Sequence, residues 1–235
     1  MKIKIQRETL IEYEVSLENT TLLNVLNEIK ISQDNSLTYS SGCRSSVCGS
    51  CSMRANGREI LACSYKVQDG DVIEPLKNVP IIRDLVVDMD RALDFNAKAK
   101  AWLGSLASGV SVSSENGKMN ELQSDCILCG SCYSACPVYA VNENFLGPFS
   151  LTRVWKYVGD VREEDSKEKI DVIQDNGVWA CTLCNECTVV CPQDISSKAD
   201  IEKLRVKSVM AGHSDPSFAS GGFNDGFSFD GSPSF

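Results

Sequence analysis

The chain has 235 residues, with 23 Lys+Arg against 32 Asp+Glu, twelve cysteines and one histidine. A net charge of −9 argues against a nucleic-acid partner, whose phosphates need a basic surface. No apolar run approaches the ~20 residues of a membrane-spanning helix, and 43% apolar with 23% charged residues describes a globular chain. The first fifteen residues alternate apolar and polar and do not read as a secretory leader. Twelve thiols in that context predict metal ligation rather than a disulfide framework.

Residues 1–80 read as strands around one short helix. Ile3 and Ile5, then Ile11, Tyr13, Val15 and Leu17, alternate with polar residues across a turn at 7–10, which predicts a hairpin. Leu22, Val25, Leu26 and Ile29 recur at helical spacing after Asn19-Thr20-Thr21. Asn56-Gly57 predicts a second hairpin, and Val72-Ile73 a last strand. This order suggests a β-grasp arrangement. Residues 82–104 read as a helical connection and 105–120 as a polar loop. Beyond that the chain lacks strand alternation, with helices predicted over 151–158, 164–176 and 198–210. The fold expected is therefore α+β: a domain at 1–95, an all-α domain at 96–213 and a Phe/Gly/Ser-rich tail at 214–235. Five of the eight phenylalanines lie in that tail (Phe218, Phe223, Phe227, Phe229 and Phe235). Composition alone reads it as disordered; the other reading is an aromatic anchor for a partner's groove.

The cysteines fall into three fours with no remainder. Cys43, Cys48, Cys51 and Cys63 follow the C-x4-C-x2-C spacing of a plant-type [2Fe–2S] loop. Gly42, Gly49 and the surrounding serines permit close backbone approach and free N–H groups for the sulfurs. Structural zinc is the competing reading, but zinc pairs usually repeat C-x2-C. Cys126, Cys129, Cys132 and Cys136-Pro137 form one C-x2-C-x2-C-x3-C-P run, and Cys181, Cys184, Cys187 and Cys191-Pro192 a second. In this bacterial ferredoxin run the fourth cysteine serves the other cluster. The expected ligand sets are therefore Cys126, Cys129, Cys132 and Cys191 for one [4Fe–4S] centre. The other takes Cys136, Cys181, Cys184 and Cys187.

No dinucleotide or phosphate-binding loop is present and nothing reads as catalytic. His213 reads as a surface residue. The acidic stretch from Glu163 to Asp171 reads as a solvated helix face. Trp179 reads as a core aromatic packed against a cluster, with a docking or quinone surface as the other reading.

A plant-type cluster loop followed by two bacterial-ferredoxin runs resembles the iron–sulfur subunit of succinate dehydrogenase and fumarate reductase. The resemblance extends from Cys43-Arg44-Ser45-Ser46-Val47-Cys48-Gly49-Ser50-Cys51 and Leu61-Ala62-Cys63 through Arg83-Asp84-Leu85-Val86-Val87-Asp88-Met89 to Phe145-Leu146-Gly147-Pro148. It implies an electron-transfer subunit between an FAD-containing flavoprotein and a quinone site, on a peripheral membrane complex. The cytoplasmic face is the default, and co-export with a signal-bearing partner the alternative.

Two departures from the familiar members stand out. Those members lack the second cysteine of the last run and hold a [3Fe–4S] centre there; Cys184 predicts [4Fe–4S] instead. They also carry tryptophans near the quinone, whereas Val138-Tyr139-Ala140-Val141 follows the second run here. The intact last run resembles the branch with a cysteine-rich third subunit, as in methylmenaquinol:fumarate and thiol:fumarate reductases and some archaeal enzymes. A thiol- or heterodisulfide-linked reductase subunit and a free-standing multi-cluster ferredoxin are the alternatives.

Overall fold

The computed structural model describes residues 1–219, with side chains through Ser217. The aromatic-anchor expectation for the tail falls outside the described side chains.

Strands β1 (Lys2–Gln6) and β2 (Leu10–Glu14) form the first hairpin, with Ile3 opposite Tyr13 and Ile5 opposite Ile11. Helix α1 (Leu22–Ser32) follows. Strands β3 (Ser52–Ala55) and β4 (Arg58–Leu61) form the second hairpin, and β5 (Val72–Glu74) pairs parallel to β1 and antiparallel to β3. The sheet order is β2-β1-β5-β3-β4. Alternation puts Ile3, Ile5 and Ile73 on one face, where they meet Leu22, Val25, Leu26 and Ile29 of α1 in one buried core. Each such side chain contributes roughly 1.5–3 kcal/mol as an upper bound.

The connection differs from the expected helix. Residues 81–87 form a two-stranded ribbon, β6 (Ile81–Arg83) and β7 (Val86–Val87), turned at Asp84 with φ 48°. The Asp84 carboxylate accepts from Arg7 Nε at 2.8 Å and from the Thr38 N–H at 2.8 Å. These long-range bonds hold a left-handed turn where local periodicity favours a helix. Helix α2 (Asp90–Lys98) starts only afterwards, and its Ala92 and Phe95 pack into a second core rather than the first. The 95/96 division drawn from sequence thus falls inside α2.

The expected loop at 105–120 contains helix α3 (Ser114–Met119), closed by a capping box between Ser113 and Asn116. Short helices α4 (Glu121–Ser124), α5 (Ser131–Ser134) and α6 (Pro137–Val141) surround the second cysteine run. Helix α7 (Pro148–Val158) begins at a proline in its first turn, where the missing N–H is harmless. Helix α8 (Ser166–Val172) is shorter than expected, because Asp175, Asn176 and Gly177 leave helical geometry. Helix α9 (Glu186–Val189) lies inside the third run, α10 (Ser197–Met210) crosses α7, and α11 (Pro216–Ala219) ends the described chain. Phe95, Tyr133, Phe149, Leu151, Val154, Ile201 and Leu204 fill the helical core.

The acidic stretch is not all solvated. The Glu163 carboxylate is buried, pairs with the buried Lys169 at 3.1 Å and accepts the Gly104 N–H at 2.7 Å. A charge this deep persists because partner and hydrogen bond are both supplied.

Candidate metal centres

The Cys43–Cys51 loop is irregular backbone held by bonds to sulfur. The N–H groups of Ser45, Val47 and Cys48 each donate to Cys43 Sγ at 3.3 Å. Those of Cys43 and Ser46 reach Cys48 Sγ and Cys63 Sγ at the same distance. Arg44 and Ser46 both adopt φ 59°, a costly conformation that turns these N–H groups inward. A Cβ on Gly42 would lie 3.0 Å from Cys48 Sγ. The Asn56-Gly57 turn of the second hairpin returns Cys63, just after β4, to the same loop. Cys43 and Cys48 are exposed, Cys63 half-buried and Cys51 buried.

The acidities follow from these surroundings. The Ser50 hydroxyl, 3.1 Å away, and neighbouring N–H groups lower the Cys48 thiol to about 6. Burial pushes Cys51 up to about 11. Burial also opposes ionisation of Cys63, but the Ser46 hydroxyl and N–H, with the Cys51 thiol, hold it below its ordinary value.

In the helical half the thiols line two voids. One brings together Cys126, Cys129, Cys132 and Cys191 with Ile127, Leu128, Phe149, Pro192 and Ile195. The other brings together Cys136, Cys181, Cys184 and Cys187 with Val138, Phe145, Pro148 and Leu183. Each void thus takes three thiols from one run and the last from the other. The two runs also share backbone geometry. Leu128 and Leu183 lie at φ 53° and 56°, two residues after the first cysteine; Gly130 and Asn185 lie at 82° and 74°, one after the second. Left-handed leucines are rare, and strain of this kind marks a loop shaped for a site.

Burial raises the pKa of Cys126, Cys132, Cys136, Cys181, Cys187 and Cys191, making them weaker acids; Cys187 reaches about 12 and Cys132 goes well above the ordinary thiol value. Thiolates in such apolar walls require positive charge at the centre of the void. Four soft sulfur donors facing one apolar pocket fit an iron–sulfur cubane, and the N–H-lined loop fits a smaller cluster.

The first loop also packs against the second run. A Cβ on Gly49, at φ +70°, would lie 2.8 Å from Cys129 Cβ, so the room that glycine leaves is filled by the Cys129 backbone and side chain. Gln193 Nε2 donates to the Ser46 carbonyl at 3.1 Å, and Ser52 and Ser131 share a buried hydroxyl bond of 3.0 Å. Asn78 donates to the carbonyls of Tyr133, Ser134 and Cys136, tying the end of the strand region to the second run. Nothing in its local sequence singles Asn78 out.

Trp179 is half-buried against the helical core; its Nε1–H donates to Gln174 Oε1 at 2.8 Å and Arg205 lies over its ring. His213 is half-buried, with Nε2 2.7 Å from Asp171 Oδ1.

Comparison with known proteins reflects this architecture. Residues 2–94 match the 2Fe-2S iron-sulfur cluster binding domain, and residues 122–195 the 4Fe-4S dicluster domain. The chain is 37% identical over 213 residues to the 8-methylmenaquinol:fumarate reductase iron-sulfur subunit of Wolinella succinogenes, covering 83% of this chain and 66% of that protein. It is 35% identical over 207 residues to the fumarate reductase iron-sulfur subunit of Escherichia coli O6:H1, covering 83% and 84%. This chain belongs to the family of fumarate reductase and succinate dehydrogenase iron–sulfur subunits. It is an electron-transfer subunit of an oxidoreductase of that class. A fumarate reductase (CoM/CoB) subunit of Methanothermobacter marburgensis is 34% identical over 199 residues, 84% of this chain and 40% of that one. In fold, the solved "Mycobacterium smegmatis Sdh1 complex in the apo form" superposes with a TM-score of 0.77 over 89% of this chain and 95% of its own, at 22% identity. No helix among the described residues is long and apolar enough to cross a membrane.

Proposed function

We propose that the chain relays electrons through three iron–sulfur clusters between an FAD-containing flavoprotein subunit and a cysteine-rich or membrane-anchor subunit, with quinone reduced or oxidised through the complex. The clusters, when bound, supply one-electron carriers; the chain supplies their spacing, ligands and surroundings. Cys43, Cys48, Cys51 and Cys63 hold a [2Fe–2S] cluster in a β-grasp domain of the plant type. In a bacterial-type dicluster domain, Cys126, Cys129, Cys132 and Cys191 hold one [4Fe–4S] cluster. Cys136, Cys181, Cys184 and Cys187 hold another. The boundary between the domains lies at the start of α2, whose buried face belongs with the helices.

The observation that carries this reading is the exchange of fourth thiols between the two voids. Three thiols from one C-x2-C-x2-C run with a fourth from the other is the pattern of two adjacent cubanes, whereas zinc sites are usually built from C-x2-C pairs. Contact of Gly49 with Cys129 supports direct transfer between the first loop and the second run. Cys184 supports a full cubane in the last position, and with it the branch that pairs with a cysteine-rich subunit. The complex would sit peripherally on the cytoplasmic face of a membrane.

Iron and sulfide analysis of the purified complex tests the reading, with about ten irons per chain expected. About nine irons, with a [3Fe–4S] signal at full occupancy after anaerobic purification, would overturn the role of Cys184. Zinc in place of iron would overturn the whole reading.

A further inference from the structure

The first turn of α10 stands between the two voids: Ser197 lines one and Lys198 the other. Among the described residues, the void of Cys126, Cys129, Cys132 and Cys191 has no charged side chain in its wall. A buried carboxyl lies outside that wall: Asp200 receives Gln123 Nε2 at 2.9 Å, three residues before the wall stretch at 126–132. The void of Cys136, Cys181, Cys184 and Cys187 has one charged wall residue among those described, the ammonium-bearing Lys198.

Behind it, Arg205 is fixed by bonds to the carbonyls of Val178 at 2.9 Å and Cys181 at 2.5 Å and by its position over Trp179. Glu202 pairs with Lys198 at 3.3 Å without entering the wall. One helix therefore offers cations to one void and a carboxyl outside the wall of the other.

Reduction adds one negative charge to a centre, so a fixed cation beside it favours the reduced form and a carboxylate disfavours it. We propose that Lys198, backed by Arg205, biases the electron toward the Cys136/Cys181/Cys184/Cys187 centre, and that Glu202 moderates that bias. This rests on the ligand sets proposed above. The electron gained at one void is the electron lost at the other, and no bond forms or breaks. The polarity of α10 thus sets which end of the dicluster holds charge at rest.

Potentiometric titration of the intact complex, followed by EPR, tests this with two partly exposed and structurally mild changes. Lys198→Gln is expected to shift electron occupancy away from the Cys184-side centre by about threefold to tenfold, tenfold being about 59 mV for one electron. Glu202→Gln is expected to shift the same centre in the opposite direction, and Lys198→Arg to restore it. Arg205→Lys, which keeps the charge but loses the paired carbonyl bonds, checks that the effect follows charge. The other two centres should hold their potentials. A perturbation of packing alone gives no reversal of sign between Lys198→Gln and Glu202→Gln. Intact signals with no shift, or shifts of the same sign, overturn this proposal alone. Wild-type protein without a second cubane signal overturns the ligand assignment and this proposal with it.

Discussion

The first cysteine loop and the two later runs solve the problem of holding thiolates in opposite ways. In the loop, the exposed sulfurs of Cys43 and Cys48 are surrounded by N–H and hydroxyl donors, which lower the Cys48 thiol to about 6. In the runs, most sulfurs face apolar walls, and burial drives thiols such as Cys132 and Cys187 toward their neutral forms. A hydrogen-bonded loop stabilises its thiolates with donors of its own, whereas an apolar void leaves that work to the cationic group it holds.

Replacing a ligand on each side gives the largest contrast. Cys132→Ser should abolish one whole cubane, about four irons, and loosen the helical half. Cys48→Ser should retain its cluster with an altered spectrum, since an exposed oxygen can still ligate. Iron analysis and EPR of both variants check this, and equal loss from both would break the contrast.

The junction between the two regions comes next. Gly49→Ala forces a side chain to φ +70° and into Cys129, and should cost roughly 2–4 kcal/mol, read as the unfolding midpoint of the complex.

Asp200 tests whether burial dominates in the helical half. Buried on α10 with Oδ2 lacking a hydrogen-bond donor, it is pushed up to about 6 from 3.8. Because the folded value lies above the unfolded one, its contribution is most favourable below about pH 4 and is lost as pH rises through about 6. Asp200→Asn should therefore stabilise by roughly 2–3 kcal/mol at pH 7–8 and confer no advantage below pH 4, measured by denaturant melts across pH.

Smallest is Ser50→Ala. Loss of its hydroxyl beside Cys48 should lower the [2Fe–2S] potential by roughly 30 mV, about threefold for one electron, and leave the cubanes unchanged.

Much of this was legible in the sequence because cysteine spacing encodes local loop geometry directly. The grouping of thiols by void follows from two short patterns, and the hairpins at 7–10 and 56–57 from turn residues and alternation. Where long-range bonds decide, the sequence was silent. Asp84 turns its segment into a ribbon because Arg7 and Thr38 reach it from far away in the chain. Glu163 looked solvated among its acidic neighbours, yet Lys169 and Gly104 draw it inside. Gly49 looked like clearance for a cluster, and the space is occupied by Cys129. Lys198 is one lysine among many until the fold sets it in the wall of a void.

The exchange of fourth thiols also has a temporal meaning. The first loop and its returning Cys63 are made before either later run, while the four thiols of the Cys126 void wait for Cys191 and those of the Cys136 void for Cys187. A ribosome that stalls after the second run leaves a chain able to mature at one end and at neither of the other two positions. Loading of the dicluster is thereby tied to synthesis of the last cysteine run, which both positions need.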